Sequence, residues 1–285
     1  MSQYIGAHIK KETGTLLKTI KKISNNGGNA LQIFSSNPRS VQVANLETYK
    51  SMSHDITEYC NHHNFRIVIH SSYTVNLSKE PKNDKRVIEL KDCYWINLLL
   101  RDLVVSDIIG AVGVVVHVGK HTKDTKENGI DYMFKAMTYI ADEMRNLSIK
   151  SKLILETPAG AGTELLTDVN DFLAFYNRFS DNQKNYLGIC LDTAHIWSSG
   201  YDINEYYDIV SKQNLDDIIV IHYNNSKKAK NSHVDTHDTI FDGKIDIHTM
   251  QEFIMKLKKS NKNPIIILEK PSDDIKNDFD FIKSI

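Results

Sequence analysis

The stretch "LGICLDTAHIWSSGYD", residues 187–202, runs apolar from Leu187 to Leu191, breaks into Asp192, and places His195 three residues further on. A short apolar run of this kind reads as a strand buried on both faces. A buried strand that finishes in a carboxylate and an imidazole has two explanations. Either the carboxylate caps the helix that follows, or the two side chains belong to a metal site. One stretch does not separate the two, and the rest of the chain holds the same pattern several times over.

Eight short β-rich runs recur along the sequence: "YIGAHI" (4–9), "ALQIFS" (30–35), "FRIVIHS" (65–71), "VGVVVHV" (112–118), "KLILET" (152–157), "LGICLDT" (187–193), "IIVIHYN" (218–224) and "PIIILEK" (264–270). Most are continuously apolar rather than alternating, as strands of a parallel sheet are. Between them, "GTLLKTIKKIS", "RVIELKDCYWINLLLRDLVVSDIIG", "DYMFKAMTYIADEMRN", "DVNDFLAFYNRF" and "IHTMQEFIMKLKKS" carry apolar residues at helical spacing, several of them after Asp, Thr or Asn. A last helix is expected after Pro271. The pattern predicts an α/β fold, a single (β/α)₈ TIM barrel over residues 1–285, with a doubly wound open sheet as the alternative.

In such a barrel the C-terminal ends of the strands form one rim, where active sites sit. The runs end near His8 and at His70, His117, Glu156, Asp192, His222 and Glu269. A lone histidine at a strand end is an ordinary hydrogen-bonded residue. A ring of imidazoles and carboxylates is different, because buried carboxylates repel one another unless cations neutralise them. The sequence therefore predicts a metal cluster on this rim. "SHVDTHD" (232–238) adds Asp235 and His237, whose D-x-H spacing puts both side chains on one side of an extended segment. His54, His62, His63, His233 and His248 read as surface residues of helices and loops, and His8 and His121 as groups that orient ligands.

Composition narrows the class. The 285 residues are 41% hydrophobic and 25% charged, as in soluble globular chains. No apolar run approaches the ~20 residues that cross a bilayer. "MSQYIGAHIK" has no basic segment followed by a long apolar one, so the expectation is an intracellular protein, cytoplasmic or nuclear, that is not secreted. Cys60, Cys93 and Cys190 form no CxxC and read as reduced core thiols. A net charge of −1 gives no general affinity for phosphate, which bound cations would supply locally, aided by loop lysines such as Lys120 and Lys227.

With these residues in place, the chain resembles the endonuclease IV family of apurinic/apyrimidinic endonucleases. The likeness is carried by "GAH" (6–8), "HSSYTVNL" (70–77), "VVVHVGKH" (115–121) and "LILETPAGAG" (153–162). It continues through "GICLDTAHIWSSGYD" (188–202), "VIHYNNSK" (220–227), "VDTH" (234–237) and "ILEK" (267–270), in that order. The resemblance implies three zinc ions per chain. His70 and His117 would hold the first, with Glu156 bridging to the second; Asp192, His222 and Glu269 would complete the second; His195, Asp235 and His237 would hold the third. It also implies hydrolysis of the phosphodiester 5′ to an abasic site in double-stranded DNA, with a zinc-bridged hydroxide as nucleophile. Glu156 and Glu269 are the implied catalytic residues. Trimming of blocked 3′ ends is the implied second activity, and a monomer the simplest form. Arg39 in "FSSNPRS" and Tyr73 in "HSSY" match residues that enter the duplex at the lesion.

The chain departs from the family pattern in places. Asn225 stands where an Asp is usual and Thr236 where a basic residue is. "FDG" (241–243) replaces a Gly-Glu-Gly turn, "HVGK" stands for His-Pro-Gly-Ser, and Thr157 and Pro158 for Asn-Thr. Two other classes share parts of the pattern. A sugar isomerase or epimerase needs only Glu156, Asp192, His222 and Glu269, and a non-catalytic DNA-binding module would not need the ligand set intact.

Overall fold

The computed structural model describes residues 3–10, 15–84 and 86–285. Gly14, the first residue of the first helical stretch, lies outside them. Eight parallel strands form a closed barrel in chain order: β1 (Tyr4–His8), β2 (Ala30–Phe34), β3 (Arg66–His70), β4 (Gly113–His117), β5 (Lys152–Glu156), β6 (Leu187–Asp192), β7 (Ile218–His222) and β8 (Ile265–Leu268). Closure is explicit, because Tyr4 to Ala7 pair with Ile265 to Leu268. That pairing excludes the open doubly wound sheet.

The helices lie between the strands as α1 (Leu16–Asn25), α2 (Leu46–His62), α3 (Tyr94–Ile108), α4 (Lys126–Asn146), α5 (Val169–Tyr176), α6 (Asp181–Lys184), α7 (Thr193–Ser198), α8 (Ile203–Asn214), α9 (Ile247–Lys259) and α10 (Ile275–Ser284). Side-chain caps start most of them, among them Thr15, Asn45, Thr125, Asp168, Asp202 and Asp246. The long helix expected over 86–110 is shorter than its apolar spacing suggests. Arg86 and Val87 pair instead with Lys82 and Asn83, and Ile88 N–H donates to Pro81 O at 2.9 Å. The hairpin takes the backbone groups of residues 86–88, a 3₁₀ turn follows at Leu90–Asp92, and α3 begins only at Tyr94. No described helix is long and apolar enough to cross a membrane.

Strand alternation explains where the site forms. Successive side chains of a strand point to opposite faces. Inside the barrel, Ala30, Val68, Val115, Ile154, Cys190, Val220 and Ile267 make one buried layer. Gly6 serves on β1, where a Cβ would come within 1.7 Å of the Ala30 carbonyl oxygen, so no larger residue fits. Two residues further along each strand path stand His8, Gln32, His70 and His117, then Glu156, Asp192, His222 and Glu269. Every strand thus sends one polar side chain inward at its C-terminal end, above an apolar floor. Register makes neighbours of particular pairs: His8 with Gln32, His117 with Glu156, and Asp192 with His222. The floor holds this ring in place. Truncating one of its large members, as in Ile154→Ala, would cost ~2–5 kcal/mol and leave a void beneath the ring.

Candidate metal centre

The polar ring and two outer elements bring the nine expected ligands together in three overlapping groups. His70, His117 and Glu156 form the first. Glu156 Oε2 lies 3.4 Å from His70 Nε2 and 3.5 Å from His117 Nε2. Glu156, Asp192, His222 and Glu269 form the second, around His222 Nδ1 at 2.7, 3.6 and 3.5 Å from the three carboxylates in that order. His195 and His237 form the third. Asp235 Oδ1 stands 3.2 Å from His195 Nε2 and 3.5 Å from His237 Nε2, and Asp192 Oδ2 approaches His237 Nε2 at 3.5 Å. Asp192 therefore faces the second and third groups at once.

Local hydrogen bonds aim several of these side chains. His70 Nδ1 lies 2.9 Å from Ser71 O, and His195 Nδ1 lies 2.9 Å from Thr157 O. A backbone carbonyl only accepts, so each ring carries a proton on Nδ1 and turns Nε2 inward. Asp192 divides its carboxylate. One oxygen caps α7 through His195 N–H at 2.8 Å, and the other accepts from Asn224 Nδ2 at 2.8 Å. Asp192 is thus a helix cap, and the same carboxylate is free to face the His222 and His237 groups. Asn224 also donates to Glu269 at 3.1 Å, while its own Oδ1 accepts the Glu269 backbone N–H at 2.9 Å.

The electrostatics calls for cations. Burial pushes the Glu156 carboxyl up, but the His117 and His222 charges, with the hydrogen bond from His222 and the nearby His70 imidazole, hold it well below the usual carboxylate range. Burial lowers His195, yet Asp192, Asp235 and Glu156 outweigh it and hold that imidazole well above its ordinary value. In the protein alone, imidazolium charge at His195 and His222 offsets only part of the carboxylate charge. Glu156 Oε2, His195 Nε2 and His237 Nε2 are buried without a hydrogen-bond partner. Such atoms cost free energy unless something else satisfies them. Nitrogen and oxygen donors in this arrangement fit zinc.

Above the centre opens a cavity of about 980 Å³ lined by His8, His70, His117, Asp235, His237 and Glu269, with Pro38 and Tyr73 at its mouth. Tyr73 is 59% exposed and meets Phe34 edge-on at 5.3 Å. Arg39 is exposed on the loop after β2. That loop is joined to the Tyr73 loop: Tyr73 N–H donates to Pro38 O at 3.0 Å and Ser72 Oγ donates to the same oxygen at 2.9 Å. Arg39 and Tyr73 thus ride on a single fastened unit.

Three residues differ from expectation or escape it. His121 does not orient a ligand; its Nδ1 bonds Asp124 O at 2.7 Å and closes its own loop. Asn225 is buried and holds the loop that follows. Its Nδ2 donates to Ile240 O and Ile245 O, both at 2.9 Å, and its Oδ1 accepts from Ile245 N at 2.8 Å. A Cβ on Gly243 would lie 2.2 Å from the Asn225 amide carbon, so the Asn225 and "FDG" departures form one packed unit. Gln32 is absent from the expected set. It touches His222, His8 and Glu269, and its only signal in the sequence is position, two residues after the inward-facing Ala30.

The profile of a protein family described as "Xylose isomerase-like TIM barrel" matches residues 20–285. A curated relative from Mycoplasma mobile, named probable endonuclease 4, is 30% identical over 274 residues, covering 94% of this chain and 91% of its own. The chain belongs to the endonuclease IV family. A putative endonuclease 4 of Acanthamoeba polyphaga mimivirus is 28% identical over 284 residues, covering 96% of this chain and 88% of its own. Among solved structures, endonuclease IV from Thermus thermophilus superposes with a TM-score of 0.74 at 22% identity, covering 99% of this chain and 98% of that one. A D-tagatose 3-epimerase-like protein superposes nearly as well, at 0.72 and 18% identity, covering 99% and 96%. The barrel by itself therefore does not separate nuclease from epimerase, and that separation rests on the side chains of the site.

Proposed function

We propose that this chain is a zinc-dependent DNA repair endonuclease that hydrolyses the phosphodiester 5′ to an abasic site, leaving a 3′-hydroxyl and a 5′-deoxyribose phosphate. One observation carries the reading: a third group, in which His195 and His237 meet Asp192 and Asp235, stands beside the pair of groups that share Glu156. An isomerase would need only Glu156, Asp192, His222 and Glu269 and has no use for the other five side chains.

His70, His117 and Glu156 would hold one ion, Glu156, Asp192, His222 and Glu269 a second, and His195, Asp235 and His237 a third. Zinc bound there would supply Lewis acidity and positive charge beside the phosphate. The chain's own groups do the rest. Glu156, which has His70, His117, His195 and His222 against its carboxylate, would keep the first two groups in fixed relation. Glu269, at the cavity and only 13% exposed in its side chain, would accept a proton from an attacking water. Arg39 and Tyr73, fastened together through Pro38, would enter the gap left by an unstacked nucleotide. A missing base costs little to unstack, so selectivity is energetic rather than read from a base edge. The same centre would remove 3′-phosphates and other blocking groups from DNA ends, and the protein would act as a monomer.

The test is incision of a duplex carrying one stable abasic analogue. The expected result is a single nick on its 5′ side that disappears on chelation. An intact duplex after incubation with demonstrably zinc-loaded protein would refute the assignment.

A further inference from the structure

Gln32 is the one amide in a ring otherwise made of imidazoles and carboxylates, and it is fully buried. All of its polar capacity is directed at that ring. Its Oε1 lies 2.8 Å from His222 Nε2, and its Nε2 lies 3.0 Å from Glu269 Oε1 and 3.0 Å from His8 Nδ1. The orientation of the amide is forced. An ionised carboxylate only accepts, so the amide nitrogen must face Glu269; the flipped amide would set two oxygens against each other. With the amide so fixed, its oxygen accepts from a proton on His222 Nε2. The other ring nitrogen, Nδ1, is then the atom presented to Glu156, Asp192 and Glu269. His70 and His195 present the opposite nitrogen, because backbone carbonyls hold their Nδ1 protons. His222 needs a separate device to be reversed, and the structure shows one.

We propose that Gln32 is a positioning residue for the second metal group: it dictates that His222 ligates through Nδ1, and it holds Glu269 in the same hydrogen-bonded unit. The inference rests on the metal reading above. Physically, the amide links four strands of the barrel, tying β2 to β1, to the end of β8 and to β7. An apolar side chain of similar size would fill the space. It would leave the His222 Nε2 proton buried without an acceptor and Glu269 with one fewer donor. Outer partners of this kind typically control metal affinity by 10–100-fold.

The experiment uses the full chain with ¹⁵N-labelled histidine, as wild type, Gln32→Leu and Gln32→Glu. Zinc affinity is read by competition with a chromophoric chelator, and the protonated ring nitrogen of His222 by NMR. In the wild type the proton sits on Nε2 with the downfield resonance of a strong hydrogen bond. Gln32→Leu should lose that resonance and weaken zinc in the second group by ~10–100-fold, with the third group unaffected. Gln32→Glu keeps an acceptor for the Nε2 proton but sets a carboxylate against Glu269, so the resonance should remain while zinc weakens. That split is beyond a merely structural role, and it carries the test if Gln32→Leu does not fold. Wild-type affinity and an unchanged His222 resonance in Gln32→Leu would overturn the proposal. If the wild type takes up no zinc at all, the metal reading fails. The role of Gln32 is then decided on zinc-free protein, where the Nε2 resonance must still be present in the wild type and absent in Gln32→Leu.

Discussion

Replacing Asn225 by Asp would restore the residue usual in the family at this position and should nevertheless damage this chain. Asn225 donates two hydrogen bonds from one amide nitrogen, to Ile240 O and Ile245 O at 2.9 Å each, and is 1% exposed. An ionised Asp keeps the acceptor for Ile245 N–H and loses both donors. Two hydrogen bonds contribute about 1 kcal/mol each, and a buried carboxylate facing two carbonyl oxygens adds a few kcal/mol of unrelieved charge. The expected loss is ~3–5 kcal/mol, a large part of the roughly 5–15 kcal/mol typical of a domain. The damage should reach the site, because Asn225 and Ser226 pair with Asp238 and His237. Urea unfolding at pH 7 should show the loss, and zinc-loaded protein should release the third group's metal most easily. Protonation of the new carboxyl restores one donor, so its raised folded-state pKa makes the penalty full above that value and smaller as pH falls below it. A variant with wild-type stability and zinc retention would refute the account of this loop.

Three further outcomes follow from the same geometry. Glu156→Gln should abolish incision by at least ~100-fold while far-UV circular dichroism stays unchanged; persistent activity would remove Glu156 from the bridging position. His195→Ala should lose the third group's zinc first, whereas Asp192→Ala should disturb all groups it faces and destabilise α7 by about 1 kcal/mol through its lost cap, both read by metal content and urea unfolding. Asp102, buried on α3 and bonded by Ser35, is pushed up to about 7 by burial. The folded state thus holds this proton more tightly than the unfolded chain, so stability falls as pH rises from about 4 to 7. Asp102→Asn should flatten that decline, worth ~3 kcal/mol at most between pH 5 and pH 8, in urea unfolding at those two values; equal slopes for both proteins would contradict it.

Most of the barrel and of the metal-facing ring is legible in the sequence, for a definite reason. Strands buried on both faces are apolar throughout, so a charged last residue such as Glu156 or Asp192 stands out against the run. Gln32 is invisible to that search because an amide neither titrates nor matches a ligand type, although its position two residues after Ala30 places it in the ring. α2 is faint because only Tyr49, Ile56 and Cys60 of its 17 residues are buried, which leaves too thin an apolar stripe to read. The start of α3 is hidden because apolar spacing says nothing about a hairpin that has already taken the backbone. The role of Asn225 depends on carbonyls 15 and 20 residues away, and no local pattern announces them. Asp192 gains most from the structure. It proves to be at once a helix cap and the carboxylate between two groups, where sequence spacing alone offers these as alternatives.

The central claim is that nine side chains on one barrel rim form a single three-metal centre, and metal content tests it most directly. Protein stripped with chelator, titrated with zinc and freed of excess by gel filtration should retain three zinc ions per chain by elemental analysis. It should fall to two in His195→Ala. Retention of one or two in the wild type would contradict the account and favour an isomerase-like site built on Glu156, Asp192, His222 and Glu269.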